Sequence, residues 1–306
     1  MSLYGMIAGK GPNGFGYSST AEEVTEGLDL SGKTYLVTGC ASGLGLETLR
    51  VLTLRGARVV AAARSAEKAR EAGKTMPGEV IPLACDLGEP ARVREAVAEV
   101  KRQGIRLDGI IANAGIMALP KLELMHGYEA QFFTNHIGHF ILVTGLLDQL
   151  TERGRVVMVS SDAHRAAPKG GIRFDNLSGE QGYRDWVAYG QSKLANLLFA
   201  KELARRLKGS GRTANTIHPG VVNTNLGRHM NPLLSMGWKL ITPLVFKNVH
   251  EGAATQVFVA THPSVEGVSG EYFSHTHIAQ CRAVGNDEAL AQKLWEVSEE
   301  IVRKVG

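Results

Sequence analysis

Cysteine is scarce in this 306-residue chain. Cys40, Cys85 and Cys281 are odd in number, widely spaced and form no C-x-x-C pair. That argues against a disulfide-stapled scaffold and a cysteine-based zinc site, and it fits a reducing, cytoplasmic compartment. Long hydrophobic runs are missing too. The nearest approach to a spanning helix, Leu233 to Phe246, is broken by Lys239 and Pro243, so no membrane span is expected. The N-terminus has neither a basic segment nor a long apolar core, and no secretory signal is expected. Charge of one sign is absent. The 34 Lys and Arg and 30 Asp and Glu leave a net charge of +4, dispersed in short pairs such as Lys101-Arg102. A nucleic-acid surface needs a basic stripe or a known motif, and neither is present. The ten histidines include the pairs His136/His139 and His275/His277. Neither pair has a third ligand at a metal-binding spacing, so no metal is expected.

What is present is apolar and rich in glycine. Hydrophobic residues make up 44 %, enough for a sizeable core and too many for disorder. Glycine occurs 36 times, about 12 % against a usual 7 % or so, without a collagen period. Short apolar runs stand at Thr34–Thr38, Arg58–Ala63, Val80–Ala84, Gly109–Ala112, Arg155–Val159, Ala214–His218 and Glu271–Ser274. Amphipathic stretches such as Gly45–Arg55 and Ala91–Arg102 lie between the first six. Continuous apolar strands alternating with helices imply parallel βαβ units covered on both faces. The expected fold is α/β: a single doubly wound Rossmann-type domain over residues 31–306, with about seven parallel strands and helices on both faces, preceded by an arm over residues 1–30. Two long connections interrupt the alternation, 162–186 and an apolar insertion at about 225–248. Both follow strand carboxyl ends, where open α/β sheets bind ligands.

Two glycine-rich segments compete for a dinucleotide. Gly9-Lys10-Gly11-Pro12-Asn13-Gly14 matches G-x-G-x-x-G letter for letter, yet no strand precedes it and no amphipathic helix opens at its end. It is rejected, because the motif has meaning only between a strand and a helix. Thr38-Gly39-Cys40-Ala41-Ser42-Gly43-Leu44-Gly45 stands in that slot. Gly39 permits the sharp turn, Gly43 a close backbone approach, and Gly45 a helix lying against the sheet. The free N–H groups at the helix start favour phosphate. Gly39, Ser42, Gly43, Leu44 and Gly45 are the expected cofactor contacts here.

This T-G-x-x-x-G-x-G pattern resembles the short-chain dehydrogenase/reductase family. Further matches follow in the family's order: Asn113-Ala114-Gly115 after the fourth strand, Ser160-Ser161 ending the fifth, Tyr189-x-x-x-Lys193, and Pro219-Gly220 after the sixth. The resemblance covers roughly residues 30–274. The stretches Asn135-His136-Ile137-Gly138-His139-Phe140 and Tyr189 to Asn196 look most like its retinol-dehydrogenase-like branch. It implies an oxidoreductase interconverting an alcohol and a carbonyl by hydride transfer, with a homodimer or homotetramer formed through helices like that of residues 189–208. It also implies that Asn113, Ala114, Gly115, Asp86, Leu87, Pro219, Gly220, Val222 and Thr224 face the cofactor. Asp86 equally suits a helix cap before Glu89 and Pro90.

The residues support that chemistry. A free tyrosine, with a pKa of about 10, is a poor base near neutrality. Tyr189 and Lys193, four apart on a predicted helix, share a face, and an ammonium nearby is expected to lower the tyrosine pKa. The resemblance assigns Lys193 also to the nicotinamide ribose. Ser161 is expected to hydrogen-bond the substrate oxygen beside Tyr189. Ser160 is the competing residue, and the resemblance favours the second serine. Ser161 lacks the G-x-S-x-G elbow of a Ser-His-Asp hydrolase. Asn135, poorly suited to a helix interior, matches the asparagine that holds a proton-relay water in the family. For the cofactor, NAD-preferring sites place a carboxylate about twenty residues past the glycine loop. Here the second strand ends in Arg64, a fork suited to a 2′-phosphate, so NADP(H) is favoured over NAD(H). The apolar insertion reads either as a core-packed helix pair or as a lid over a lipophilic small-molecule alcohol or carbonyl. A non-catalytic NADP(H)-sensing or scaffolding protein on the same fold is the alternative. Its mark would be a missing catalytic Tyr or Lys, and both are present.

Overall fold

A computed structural model describes residues 9–222 and 246–306. Its centre is an eight-stranded sheet in the order β10-β9-β8-β7-β4-β1-β2-β3. The strands are β1 (Thr34–Thr38), β2 (Arg58–Ala63), β3 (Val80–Ala84), β4 (Leu107–Ala112), β7 (Leu150–Val159), β8 (Thr213–His218), β9 (Tyr272–Ser274) and β10 (His277–Ile278). A separate two-residue hairpin pairs β5 (Leu124–Met125) with β6 (Tyr128–Glu129). Seven strands of the main sheet run parallel, matching the expected number. The eighth, β10, folds back antiparallel on β9. At two residues β10 is too short to carry a periodic signal.

The helices are α1 (Gly43–Leu54), α2 (Ala66–Gly73), α3 (Pro90–Arg102), α4 (Gly138–Gly145), α5 (Asp185–Arg206), α6 (Val249–Thr261) and α7 (Glu288–Lys304). They divide between the faces of the sheet. One core gathers Val93, Leu142, Leu198 and Trp295 from α3, α4, α5 and α7. The other gathers Leu49, Val51, Val257 and Phe258 from α1 and α6, with Ala21, Val24 and Leu30 of the N-terminal segment. The order reverses between β1 and β4, whose chains leave for opposite faces. Their carboxyl ends therefore open a crevice, the switch point where ligands bind in such sheets.

Residues 11–15 lie along the β9/β10 end of the sheet, and residues 21–30 pack on α1 and α6. Gly11 N–H bonds the Phe15 carbonyl at 2.7 Å, the Asn13 amide donates to the Thr276 carbonyl at 2.9 Å, and Phe15 lies edge-on to Phe258 of α6. The letter-perfect glycine motif thus packs against β9 and β10 and precedes no helix, in keeping with its rejection. On the opposite face α7 covers part of α5. Trp295 stacks on Phe199 at 5.5 Å, and the Arg206 guanidinium sits 4.1 Å from the Trp295 ring. No helix among the described residues is long and apolar enough to cross a membrane.

Candidate active site

The loop between β1 and α1 is shaped by glycine. Gly39 and Gly43 have φ of +69° and +56°, left-handed values that side chains disfavour. A Cβ on Gly45 would stand 2.2 Å from the Gly39 carbonyl oxygen and 2.7 Å from Asn113 Nδ2. Only hydrogen fits there, and α1 lies close to the sheet as expected. Ser42 precedes α1 without a side-chain cap bond, and no acidic residue occupies its first turn. Its N–H groups and the positive end of the helix are thus open to an anion. Leu44 and Val222 pack on α6 where Gly252 leaves room for both.

The second loop braces the first. Thr38 Oγ1 accepts from the N–H groups of Asn113 and Ala114 at 2.9 and 3.0 Å. The Asn113 amide donates to the Thr38 carbonyl at 2.8 Å and accepts from Gln256 of α6 at 3.3 Å. Its side chain is therefore spent within the protein. Gly115 has its Cα beside the Asn135 amide and the Lys193 ammonium. Asp86 is no helix cap: its carboxylate accepts from Gly88 N–H at 3.1 Å in a tight turn, and Glu89 stands at the start of α3. Leu87 is buried against Gly138. Arg64 lies exposed at the end of β2 and forms no ion pair among the described residues. Pro219 and Gly220 follow β8, with φ of +93° at Gly220. Thr224 and all but the last three residues of the 225–248 insertion lie outside the described residues.

Four predicted catalytic residues converge. Tyr189 is nine-tenths buried on α5, and the Lys193 ammonium lies 5.7 Å from its ring centre. Ser161 is the group that opposes the effect of burial on the Tyr189 phenol, and it accepts from Ala163 N–H at 3.2 Å as the cap of a short helical turn, Asp162–Ala166. Ser160 is turned away, donating to the Lys193 carbonyl at 2.7 Å, so the geometry favours Ser161. A Cβ on Gly190 would sit 2.5 Å from the Ala163 carbonyl oxygen. This close approach brings the Ser161 turn onto Tyr189. His164 braces the same turn, with Nδ1 2.7 Å from the Ser161 carbonyl and Nε2 accepting from Arg282 N–H at 3.1 Å.

Asn135 lies in a π-helical segment, Phe133–Ile137, that interrupts the expected regular helix before α4. Such segments recur at functional sites. Its side chain is fully engaged, accepting from Ile116 N–H at 2.8 Å and donating to the Ile116 carbonyl and Ser192 Oγ, each at 2.9 Å. One electrostatic expectation is corrected. The Tyr189 phenol is pushed up to about 12 by burial, opposed by Ser161 and not by Lys193. Burial lowers Lys193 to about 8, and its ammonium spends one hydrogen bond on the Val159 carbonyl at 3.1 Å. Desolvation of the phenolate outweighs the neighbouring charge.

Sequence reasoning missed the supports of this site. His139, Gln256, Gly190 and Gly252 are buried residues of mostly apolar helices. The available signal was a polar residue or glycine inside an apolar run. No group of His, Cys, Asp and Glu among the described residues could hold a metal ion.

The model of the short chain dehydrogenase family matches residues 33–233. The chain is 40 % identical to the short-chain dehydrogenase TIC 32 B, chloroplastic, of Brassica napus, over 99 % of each sequence. It is 41 % identical to human retinol dehydrogenase 14, over 89 % of this chain and 87 % of that one. Among solved structures, a short chain dehydrogenase from Burkholderia cenocepacia J2315 in complex with NADP superimposes with a TM-score of 0.64. It is 26 % identical, covering 80 % of this chain and 96 % of that one.

Proposed function

Because the chain belongs to the short-chain dehydrogenase family and is an oxidoreductase with a nicotinamide cofactor, we propose that it interconverts a lipophilic alcohol and carbonyl with NADP(H). The observation that carries this reading is the convergence of Ser161 and Lys193 on the buried Tyr189. A bound nicotinamide supplies or accepts the hydride. Tyr189, protonated at neutral pH, gives its proton to the nascent alkoxide in carbonyl reduction. Ser161 donates a hydrogen bond to the same oxygen while charge builds. Lys193 holds a positive charge beside the tyrosine and would hydrogen-bond the ribose of a bound nicotinamide. Asn135 keeps the relay geometry through its three side-chain bonds.

The open start of α1 and the left-handed glycines of the 39–45 loop fit a pyrophosphate. Arg64, exposed and without a competing carboxylate, suits a 2′-phosphate, and this supports NADP(H) over NAD(H). Trp186 supports the apolar substrate class. It is 46 % exposed, unusual for so large a side chain, and its ring lies edge-on to Tyr189 at 6.1 Å. The proposal extends to a reducing, cytoplasmic setting. All three cysteines are free, and Cys40 and Cys85 are buried.

The test is a carbonyl panel with NADPH, run beside Tyr189→Phe. The variant is expected to bind NADPH like the wild type and to lose turnover by at least about a thousandfold. Retained turnover would sink the catalytic assignment. A panel in which small polar carbonyls outperform every lipophilic one would remove the substrate class.

A further inference from the structure

His139 is wholly buried near the start of α4, four residues past Asn135. Its Nδ1 lies 2.9 Å from the Asn135 carbonyl oxygen, and its Nε2 lies 2.9 Å from Thr38 Oγ1. A carbonyl can only accept, so Nδ1 carries the proton. Neutral imidazole then has a bare Nε2, which needs a donor. Thr38 can be that donor because its hydroxyl oxygen already accepts from Asn113 and Ala114 N–H, leaving its proton for the ring. One arrangement of protons therefore satisfies every member.

The chain of bonds continues past Asn135. The Asn135 amide donates to Ser192 Oγ at 2.9 Å, and Ser192 Oγ donates to the Tyr189 carbonyl at 2.8 Å. Five residues, Thr38, His139, Asn135 (by both its carbonyl and its amide), Ser192 and Tyr189, thus join the ends of β1 and β4 to the helix bearing the catalytic tyrosine. His136, three residues earlier on the same segment, offers a contrast. Its Nε2 meets Ser298 of α7 at 2.8 Å, and its Nδ1 has no hydrogen-bond partner. That histidine fastens the C-terminal helix and stands outside the chain of bonds.

We propose that His139, held as its Nδ1–H tautomer, is a positioning residue that couples the dinucleotide-binding loops to Asn135 and Tyr189. The inference rests on the catalytic reading above. Its consequence is that the two ring nitrogens have separable tasks. The Nε2 bond holds Thr38, and with it the Asn113-Ala114 turn, in the shape that receives the nucleotide. The Nδ1 bond holds the Asn135 carbonyl within the π-helical segment, beside the catalytic group. Burial supports this by keeping the ring at about 4, with Lys193 and His136 the charged or titratable neighbours that bear on it.

Two substitutions separate the tasks. A glutamine amide reaches the Nε2 position and an asparagine amide the Nδ1 position. His139→Gln is expected to keep NADPH affinity within about twofold and to lose kcat about tenfold or more. His139→Asn is expected to weaken NADPH binding about tenfold and to change kcat far less. His136→Phe, the control, lowers the melting temperature and leaves both constants alone. If both His139 variants lower melting temperature while kcat and nucleotide affinity keep their wild-type values, the residue only packs and the proposal fails. It fails too if both variants shift the two constants in equal proportion.

A second measurement is independent of turnover. The 15N spectrum of the histidine-labelled protein is expected to show His139 as the Nδ1–H tautomer from pH 5 to 8. An Nε2–H tautomer or an imidazolium in that range overturns the proposal even if the variants do not fold. A wild-type protein without NADPH binding or turnover would instead defeat the catalytic reading, and the tautomer would still decide the His139 bridge.

Discussion

Two glycine-rich segments share a backbone habit and differ in everything around it. Gly9 and Gly14 in the N-terminal segment have φ of +66° and +81°, much like the +69° and +56° of Gly39 and Gly43. A Cβ on Gly9 or Gly14 would meet nothing within 4 Å, whereas one on Gly45 would overlap the Gly39 carbonyl. In the first segment Gly9 and Gly14 serve only the turn, while Gly11 lies against the His277 ring. In the second, glycine also lets a helix start, a strand end and the Asn113 loop occupy one small volume. A motif's letters record the turn; the neighbours decide whether the turn can hold a ligand.

The sharpest way to break the contrast is Gly45→Ala. The added methyl must displace backbone, so NADPH affinity is expected to fall more than about a hundredfold, with stability falling by about 1–3 kcal/mol. Fluorescence titration and thermal melting measure both, and wild-type binding would contradict the tight-packing account. Arg64→Ser comes next. Losing a charge-assisted contact to a 2′-phosphate is expected to weaken NADPH about 10- to 100-fold and to leave NADH unchanged. Equal binding of the two nucleotides by the wild type would end the NADP(H) preference.

Protonation is the third probe. Lys193 is lowered to about 8 by burial, so it is charged at pH 7 and loses its proton as pH rises through 8. Tyr189, at about 12, stays protonated over that range. Carbonyl reduction is therefore expected to fall about tenfold between pH 7 and 9 with an apparent pKa near 8. A kcat profile flat to pH 10 would show that the lysine charge is not needed. The smallest effect belongs to Gly14→Ala, expected to cost about 1 kcal/mol of stability through its positive φ. NADPH affinity should be untouched, and any loss would return the rejected motif to consideration.

Much of the fold was legible because its strands are unbroken apolar runs between turn residues. β1, β2 and β3 begin and end at the expected residues. The amino-terminal extensions of β4 and β7 were not, since Leu107-Asp108 and Leu150 to Gly154 mix polar with apolar residues. Tyr189, Lys193 and the 39–45 loop were legible through spacing, and Ser161 through the family resemblance at the end of the fifth strand. The resemblance already favoured Ser161 over Ser160, and the geometry supplies the reason, because adjacent strand-end residues point to opposite sides. The π-helical segment leaves no periodic trace over five residues.

By itself the sequence determined the order of strands and helices, the place of the glycine loop between β1 and α1, and the shared face of Tyr189 and Lys193. Those are consequences of local period and of covalent spacing. Only the tertiary structure decided the balance of charge around Tyr189, because desolvation depends on what surrounds a group and not on its neighbours in the chain. It likewise decided that His139 bridges Thr38 and Asn135 while His136 does not. Those partners lie 101 and 4 residues away, and folding alone brings both within one ring's reach.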